Sequence, residues 1–289
     1  MRGPNPRWRS RALIALVALA LVAAVIVHAR SRSEPPARCA SGMIALGPRC
    51  CGEGQHLDGD RCVGAPERCA AGMDATPSGC VFPPRVVRIE GGPLRVGPGD
   101  WEAQGVVSPR ETKVAVFGLD AAEVTEDRWL ACVAARGCPA IALTGEPGRA
   151  IAGVTADEAA RFCRWAGGSL PTADQLAFAA AGKAGRRYAW GDTGAVCRRA
   201  AWGLISGPCG WRASGPELAG AHPDGASPEG VRDLAGNVAE WALAPSGLEI
   251  RGGSYADGAA SALRSWQRRS IGADARASDV GFRCAYPAP

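Results

Sequence analysis

Twelve cysteines, arranged as two sets of six, constrain this chain more than any other feature of its sequence. The first set forms a threefold repeat, C-x-x-G-x7-C, which runs from Cys39 to Cys50, Cys51 to Cys62 and Cys69 to Cys80. A short segment that is nearly free of aromatic residues needs cross-links, because it cannot bury enough apolar surface to fold unaided. Pairing within each copy is the simplest interpretation, and each bond would contribute about 3 kcal/mol in the chain-entropy model. Six cysteines allow other connectivities, and zinc is the alternative, but its usual C-x2-4-C spacing does not occur in this segment.

The N-terminus has the layout of an export signal. Residues 12–27 are an unbroken apolar run of sixteen residues behind four arginines. That pattern is typical of a signal peptide, or of a short membrane anchor held with its basic end inside. We therefore predict export to the periplasm or the cell exterior, or a membrane-anchored protein that faces outward. Cleavage and anchoring both remain open, and any membrane contact is expected only through this segment.

The net charge does not indicate a nucleic-acid partner. Six arginines and no acidic residue lie in residues 1–33, and subtracting them from the net charge of +5 leaves about −1 for residues 34–289. A nearly neutral protein segment has no excess of basic charge with which to bind phosphate groups. Nucleic-acid binding is therefore not expected.

Three segments follow from these patterns: an export signal at 1–33, the cysteine-rich module at 34–84 and a large domain at 85–289. Pro83 and Pro84 mark the second boundary. Within the large domain we predict strands at 86–90, 113–117 and 248–255. Three helices are predicted to begin after threonine N-caps, and two of the threonines have a Glu or Gln three residues later, as in a capping box. The threonines are Thr125, Thr155 and Thr172. With 39 glycines and 22 prolines in 289 residues, the pattern indicates a loop-rich α+β domain.

Six motifs of the large domain occur in the order seen in one family. They are EVT at 123–125, GVTADEAARFCRWAGGSLPT at 153–172, YAWGD at 188–192, DLAGNVAEW at 233–241, RGGSY at 251–255 and GFRC at 281–284. The chain resembles the formylglycine-generating enzyme (sulfatase-modifying factor) family over about 200 residues. The resemblance implies an α+β fold that is a variant of the C-type lectin-like fold.

The resemblance also implies a calcium site and three disulfides. The family binds structural calcium in the 233–240 motif, which gives Asp233 and Glu240 as carboxylate ligands and Gly236 and Val238 as carbonyl ligands. Such a set suits a hard cation that takes six or more oxygens. A disulfide between Cys163 and Cys284 is also implied. With it, the expected remaining pairs, each closing a local loop, are Cys132 with Cys138 and Cys197 with Cys209.

The family's oxidase chemistry is not expected here. The family uses two cysteines, shortly after its Gly-Gly-Ser motif, to bind copper(I), which prefers soft thiolate ligands. In this chain the two positions fall on Asp257 and about Ala262, and no cysteine lies between Cys209 and Cys284. An iron site with two histidines is not expected either, since His222 is the one histidine of the large domain and its Pro/Gly-rich surroundings predict an exposed loop.

These observations favour an exported, calcium-stabilised and disulfide-bonded member of the family that has lost the copper site. It would bind a peptide, a protein or a glycan. Candidate groove residues are Arg251, Ser254, Tyr255, Arg264 and Trp266, whereas Trp190 and Trp241 are better explained as core. Two alternatives stay open: an enzyme of the family that uses a non-cysteine ligand such as Asp257, and an envelope protein whose working part is the cysteine-rich module.

Overall fold

The computed structural model describes residues 39–96 and 108–288. Residues 36–289 belong to one compact unit, and the expected export signal lies outside the described residues. Within the described ranges no helix is both long and apolar enough to cross a membrane.

Each copy of the cysteine repeat forms one antiparallel hairpin closed by its own disulfide. Two short strands joined by a tight turn pair readily as an antiparallel hairpin. In each copy the disulfide joins the start of the copy to its second strand. The disulfides are Cys39–Cys50, Cys51–Cys62 and Cys69–Cys80, so the pairing predicted within each copy is confirmed. The strands are β1 (Met43–Leu46), β2 (Arg49–Gly52), β3 (His56–Asp58), β4 (Arg61–Val63), β5 (Asp74–Thr76) and β6 (Gly79–Val81).

In residues 85–96 and 108–288 the large domain contains three small sheets and three α-helices, so the α+β class predicted from the sequence is confirmed. The sheets have the orders β15-β10-β7, β13-β12-β11-β14 and β8-β9. The strands are β7 (Val86–Ile89), β8 (Gly92–Val96), β9 (Arg110–Val114), β10 (Phe117–Asp120), β11 (Ala239–Ala244), β12 (Gly247–Arg251), β13 (Arg268–Arg269), β14 (Val280–Gly281) and β15 (Ala285–Tyr286).

Two predicted strands have different bounds in the structure. The segment predicted as one strand at 113–117 contains the end of β9 and the start of β10, which belong to different sheets. The strand predicted at 248–255 ends at Arg251, because Gly252 and Gly253 adopt φ values of +92° and +68° that a strand does not allow.

The three helices are α1 (Glu126–Ala134), α2 (Ala156–Trp165) and α3 (Ala173–Ala181). Thr155 and Thr172 form complete capping boxes with Glu158 and Gln175, as predicted. Thr125 occupies the N-cap of α1, but its side chain makes no capping hydrogen bond.

Aromatic residues hold α1, α2 and the C-terminal strands together. The Phe162 ring on α2 stacks on Trp129 at 5.8 Å between centroids and meets the edge of Phe282 at 5.4 Å. The neighbouring disulfide Cys163–Cys284 ties α2 to the last strands, and Cys132–Cys138 and Cys197–Cys209 close local loops. Trp241 is fully buried in the same core and donates from its indole nitrogen to the Val154 carbonyl at 3.0 Å. Its predicted core role is therefore confirmed.

The cysteine-rich module packs directly on the large domain. Arg49 of β2 is only 1% exposed and pairs with Glu146 at 2.8 Å, while Arg149 pairs with Asp60 of the module at 2.9 Å. Phe82 packs beside Gly220, where a Cβ atom would come within 2.6 Å of the ring. The change of sequence character at residue 84 therefore does not separate two bodies in space.

Candidate functional site

The 233–240 motif forms a tight loop that leads into β11, and its acidic residues are buried. Glu240 accepts hydrogen bonds on both carboxylate oxygens from the Arg283 guanidinium, at 2.6–3.0 Å. The same guanidinium donates to the carbonyls of Asp120 and Arg232, at 3.1 and 2.8 Å. Burial raises the pKa of Glu240, and Arg283 acts in the opposite direction by favouring the ionised form.

Asp233 accepts from the backbone N–H of Gly220. Burial raises the pKa of Asp233, although His222, Arg283 and Arg232 favour its charged form. The backbone N–H of Val238 donates to Glu123 at 3.1 Å. The two carboxylates predicted to bind calcium, Asp233 and Glu240, therefore have protein partners of their own.

A calcium ion does not fit the predicted ligands in this arrangement. Both oxygens of Glu240 already contact the Arg283 guanidinium, whose positive charge would lie beside any cation bound to the same carboxylate. Within the part of the chain that the structure describes, no group of three or more His, Cys, Asp or Glu side chains is placed to hold a metal ion. We derive no role for calcium from this set.

Two buried acids that the sequence analysis did not single out complete the network. Glu123 accepts from Asn237 Nδ2 at 2.9 Å, and burial together with nearby Asp233 raises the pKa of Glu123 well above its ordinary value. Glu217 lies 2.8 Å from His222 Nε2. Glu123 belongs to the EVT motif, and this motif is the sequence signal that could have identified it. No local sequence pattern identifies Glu217 as a site residue.

His222 is buried, so the prediction that it lies in an exposed loop is wrong. Its Pro/Gly-rich segment folds inward because the Glu217 carboxylate offers the imidazole an ionic hydrogen bond inside the domain. Burial alone would lower the pKa of His222, but the contact with Glu217 outweighs it and the pKa is raised.

Neither Asp257 nor Ala262, where the resemblance places the copper cysteines, carries a thiol. Asp257 accepts from the backbone N–H and the hydroxyl of Ser254, at 2.8 and 2.9 Å. Ala262 lies in a 3₁₀ turn, and both residues line a cavity of about 30 Å³ together with Ala239. All twelve cysteines of the chain are in disulfides, which leaves none as a free thiolate.

The five candidate groove residues do not lie on one surface. Ser254 and Tyr255 are 0% and 2% exposed, so they belong to the interior and the prediction that they face a groove is wrong for both. They turn inward because the backbone reverses at Gly252 and Gly253. Arg264 is also buried, with its guanidinium 5.8 Å from the Trp266 ring centre.

Arg251 and Trp266 do meet, in a cleft of about 400 Å³. One wall is β8, another is the C-terminal half of α3 with Ala177 and Ala181, and the loop 184–187 closes one end. Arg251 lies in the interior wall and pairs with Glu249 at 2.6 Å. Trp190 lies elsewhere and stacks on Tyr188 at 4.9 Å, in agreement with a packing role.

The fold is shared with several proteins of known structure. It is similar to Treponema denticola variable protein 1, with a TM-score of 0.57 and 21% identity over 75% of this chain and 98% of that one. It is also similar to PvdO from Pseudomonas aeruginosa, with a TM-score of 0.58 and 18% identity over 71% of this chain and 94% of that one. These likenesses define the class of fold.

Residues 74–288 match the family model described as the sulfatase-modifying factor enzyme 1-like domain. The chain therefore belongs to this family, as its motifs predicted. A formylglycine-generating enzyme of Streptomyces coelicolor is 32% identical over 173 residues, which cover 50% of this chain and 55% of that protein. The mouse protein named inactive C-alpha-formylglycine-generating enzyme 2 is 34% identical over 152 residues, which cover 47% and 48%. The chain thus spans about half the length of the curated relatives it matches.

Proposed function

We propose that this chain is an exported binding protein of the sulfatase-modifying factor family that lacks the family's copper-dependent oxidase activity and binds a peptide, a protein or a glycan. A C-type lectin-like scaffold is part of this proposal. The observation that carries it is that every cysteine is held in a disulfide. By the resemblance, the positions of the family's two oxidase cysteines fall on Asp257 and about Ala262. Copper(I) needs soft thiolate ligands, and an aspartate with an alanine offers none.

Two further observations support the proposal. One relative bears the word inactive in its name, so the family includes a member described as having no activity of this kind. Six disulfides form and persist in oxidising compartments, which supports export. Fractionation of cells that express the chain with and without residues 1–33 tests export directly.

The oxidase part is tested by measuring free thiols, bound copper and oxygen consumption together. We expect no thiol in the denatured, non-reduced protein, no copper retained after loading with copper(I), and no oxygen uptake with a cysteine-containing peptide. The double variant Asp257→Cys/Ala262→Cys is the matched control, since it restores the two thiols in the same scaffold and should retain copper. Oxygen uptake by the unmodified protein would overturn the proposal in favour of an enzyme with other ligands.

A further inference from the structure

The cleft beside Trp266 follows the edge of strand β8. Three consecutive residues of this strand, Leu94, Arg95 and Val96, line it. Successive side chains of a strand point to opposite faces, so three consecutive residues do not line a cleft through one face of the strand. What the three residues have in common is the edge of the strand. No residue of β9, the partner of β8, lines the cleft. The cleft therefore lies along the edge of β8 that faces away from β9.

That edge has backbone groups available for pairing. Within residues 39–96 and 108–288, β8 pairs with β9 alone. Pro93 has no N–H and is tolerated in a strand when its nitrogen lies on the unpaired edge. Residues two apart point their backbone groups the same way, so the N–H and carbonyl of Arg95 point to the same edge as Pro93.

The walls of the cleft are basic and partly apolar. Four arginines line it, namely Arg95, Arg186, Arg187 and Arg251, against one lining acid, Asp192. Three of these arginines also pair with acids outside the lining, which are Glu111, Glu229 and Glu249. The Asp192 carboxylate accepts from the backbone N–H of Arg187 at 2.8 Å, which partly satisfies that charge. Beside the cleft, Glu249 is shared by Arg251 at 2.6 Å and Arg268 at 3.6 Å, so two guanidinium groups face one carboxylate.

Trp266 gives the cleft an aromatic wall, and Ala177 and Ala181 of α3 add apolar surface. The indole N–H of Trp266 is buried and has no acceptor among the described residues. The aromatic ring and the alanines would contact the apolar parts of a ligand.

We propose that this cleft binds an acidic peptide in an extended conformation, which adds as a strand to the free edge of β8 and places its carboxylates against the arginines. The inference rests on the proposed function as a binding protein and narrows its ligand to one class. Strand addition gives affinity through main-chain hydrogen bonds, and side-chain pockets on alternate residues give specificity. A glycan could use the arginines, but it could not pair with the backbone of β8, and for that reason a peptide is favoured.

Fluorescence anisotropy with synthetic probes tests the proposal on the full, disulfide-bonded protein. The first probe is a labelled octapeptide of alternating glutamate and valine, and its matched control has glutamine in place of every glutamate. We expect saturable binding of the first probe, which weakens with added salt, and binding of the control that is weaker by about tenfold or more. Two further probes carry N-methyl groups on alternate residues, one in each of the two possible patterns. The pattern that blocks the peptide edge facing β8 should lose binding, and the other should not.

Protein variants test the same contacts from the other side. Arg95 is exposed and pairs with Glu111 at 2.9 Å; Arg68 of the cysteine-rich module is equally exposed and pairs with Glu53 at 3.4 Å. Arg95→Glu should weaken the glutamate probe by about tenfold, while Arg68→Glu should leave it unchanged. The N-methyl probes need no variant, so they decide the question even where Arg95→Glu fails to fold.

Equal binding of the glutamate and glutamine probes, or equal binding of both N-methyl patterns, would overturn the proposal. So would the absence of peptide binding in a protein that captures a uronate or sulfated oligosaccharide at Arg95. If the peptide tests fail in a protein that has no free thiol and no oxygen uptake, the peptide-binding proposal is rejected and the non-oxidase proposal remains. Oxygen uptake with a cysteine peptide would remove that proposal instead, whatever the cleft binds.

Discussion

Glu240 and Arg283 form a two-point ion pair in the interior of the domain. Both carboxylate oxygens accept from one guanidinium, and the two side chains are 3% and 0% exposed. The pair joins β11 to the segment just before β15, at the centre of the motif in which a cation was expected. This contact places a positive charge directly against the Glu240 carboxylate.

Breaking this pair should strongly destabilise the protein. Glu240→Gln removes the carboxylate that is in direct contact with the buried Arg283 guanidinium, and a loss of about 3–5 kcal/mol in the free energy of unfolding is expected. Chemical denaturation measures it. Asp58→Asn is the control, because it removes the exposed Asp58–Arg61 pair and should cost less than about 1 kcal/mol. Similar losses in the two variants would contradict the buried pairing.

Calcium removal should leave the stability unchanged. Since Arg283 already satisfies both oxygens of Glu240, we expect the same Tm with a calcium chelator as with millimolar calcium. Scanning calorimetry on the metal-stripped protein checks this. A rise in Tm on adding calcium that disappears in Glu240→Gln would show instead that the ion displaces Arg283.

A long-range disulfide and a local disulfide should contribute unequally to the free energy of unfolding. Cys163–Cys284 spans a sequence separation of 121 and Cys132–Cys138 a separation of 6. In the chain-entropy model the first restricts the unfolded chain by about 5 kcal/mol and the second by about 2 kcal/mol. The matched double variants Cys163→Ala/Cys284→Ala and Cys132→Ala/Cys138→Ala should follow this order in denaturant unfolding. The reverse order would mean that strain or residual structure outweighs loop length.

The contact between Glu217 and His222 should make stability depend on pH. The contact raises the folded-state pKa of His222 above its ordinary value of about 6.5, so protonated histidine is favoured in the folded state. That stabilisation is fully present below about pH 6.5 and is lost as the pH rises through the folded-state pKa. The difference in unfolding free energy between the wild type and His222→Gln should therefore shrink from about pH 5.5 to pH 9. A difference that does not vary with pH would show that folding does not shift the pKa of His222.

Features that depend on near neighbours were predictable from the sequence. The three hairpin disulfides follow from a repeat in which each pair is eleven residues apart, and the capping boxes follow from a threonine and an acceptor three residues later. The family motifs predicted the Cys163–Cys284 bond across 121 residues, although only through the resemblance.

The site depended on contacts that no local pattern encodes. Arg283 reaches Glu240 from 43 residues away, and His222 turns inward to meet Glu217. The cleft brings β8 together with Trp266, which is distant in the chain. The sequence by itself determined the hairpin cross-links, the helix starts and the family, because each depends on residue type and on patterns of nearby residues. Only the tertiary structure decided which charges are paired, which candidate residues are buried and where a ligand could bind, because burial and pairing arise when distant segments pack together.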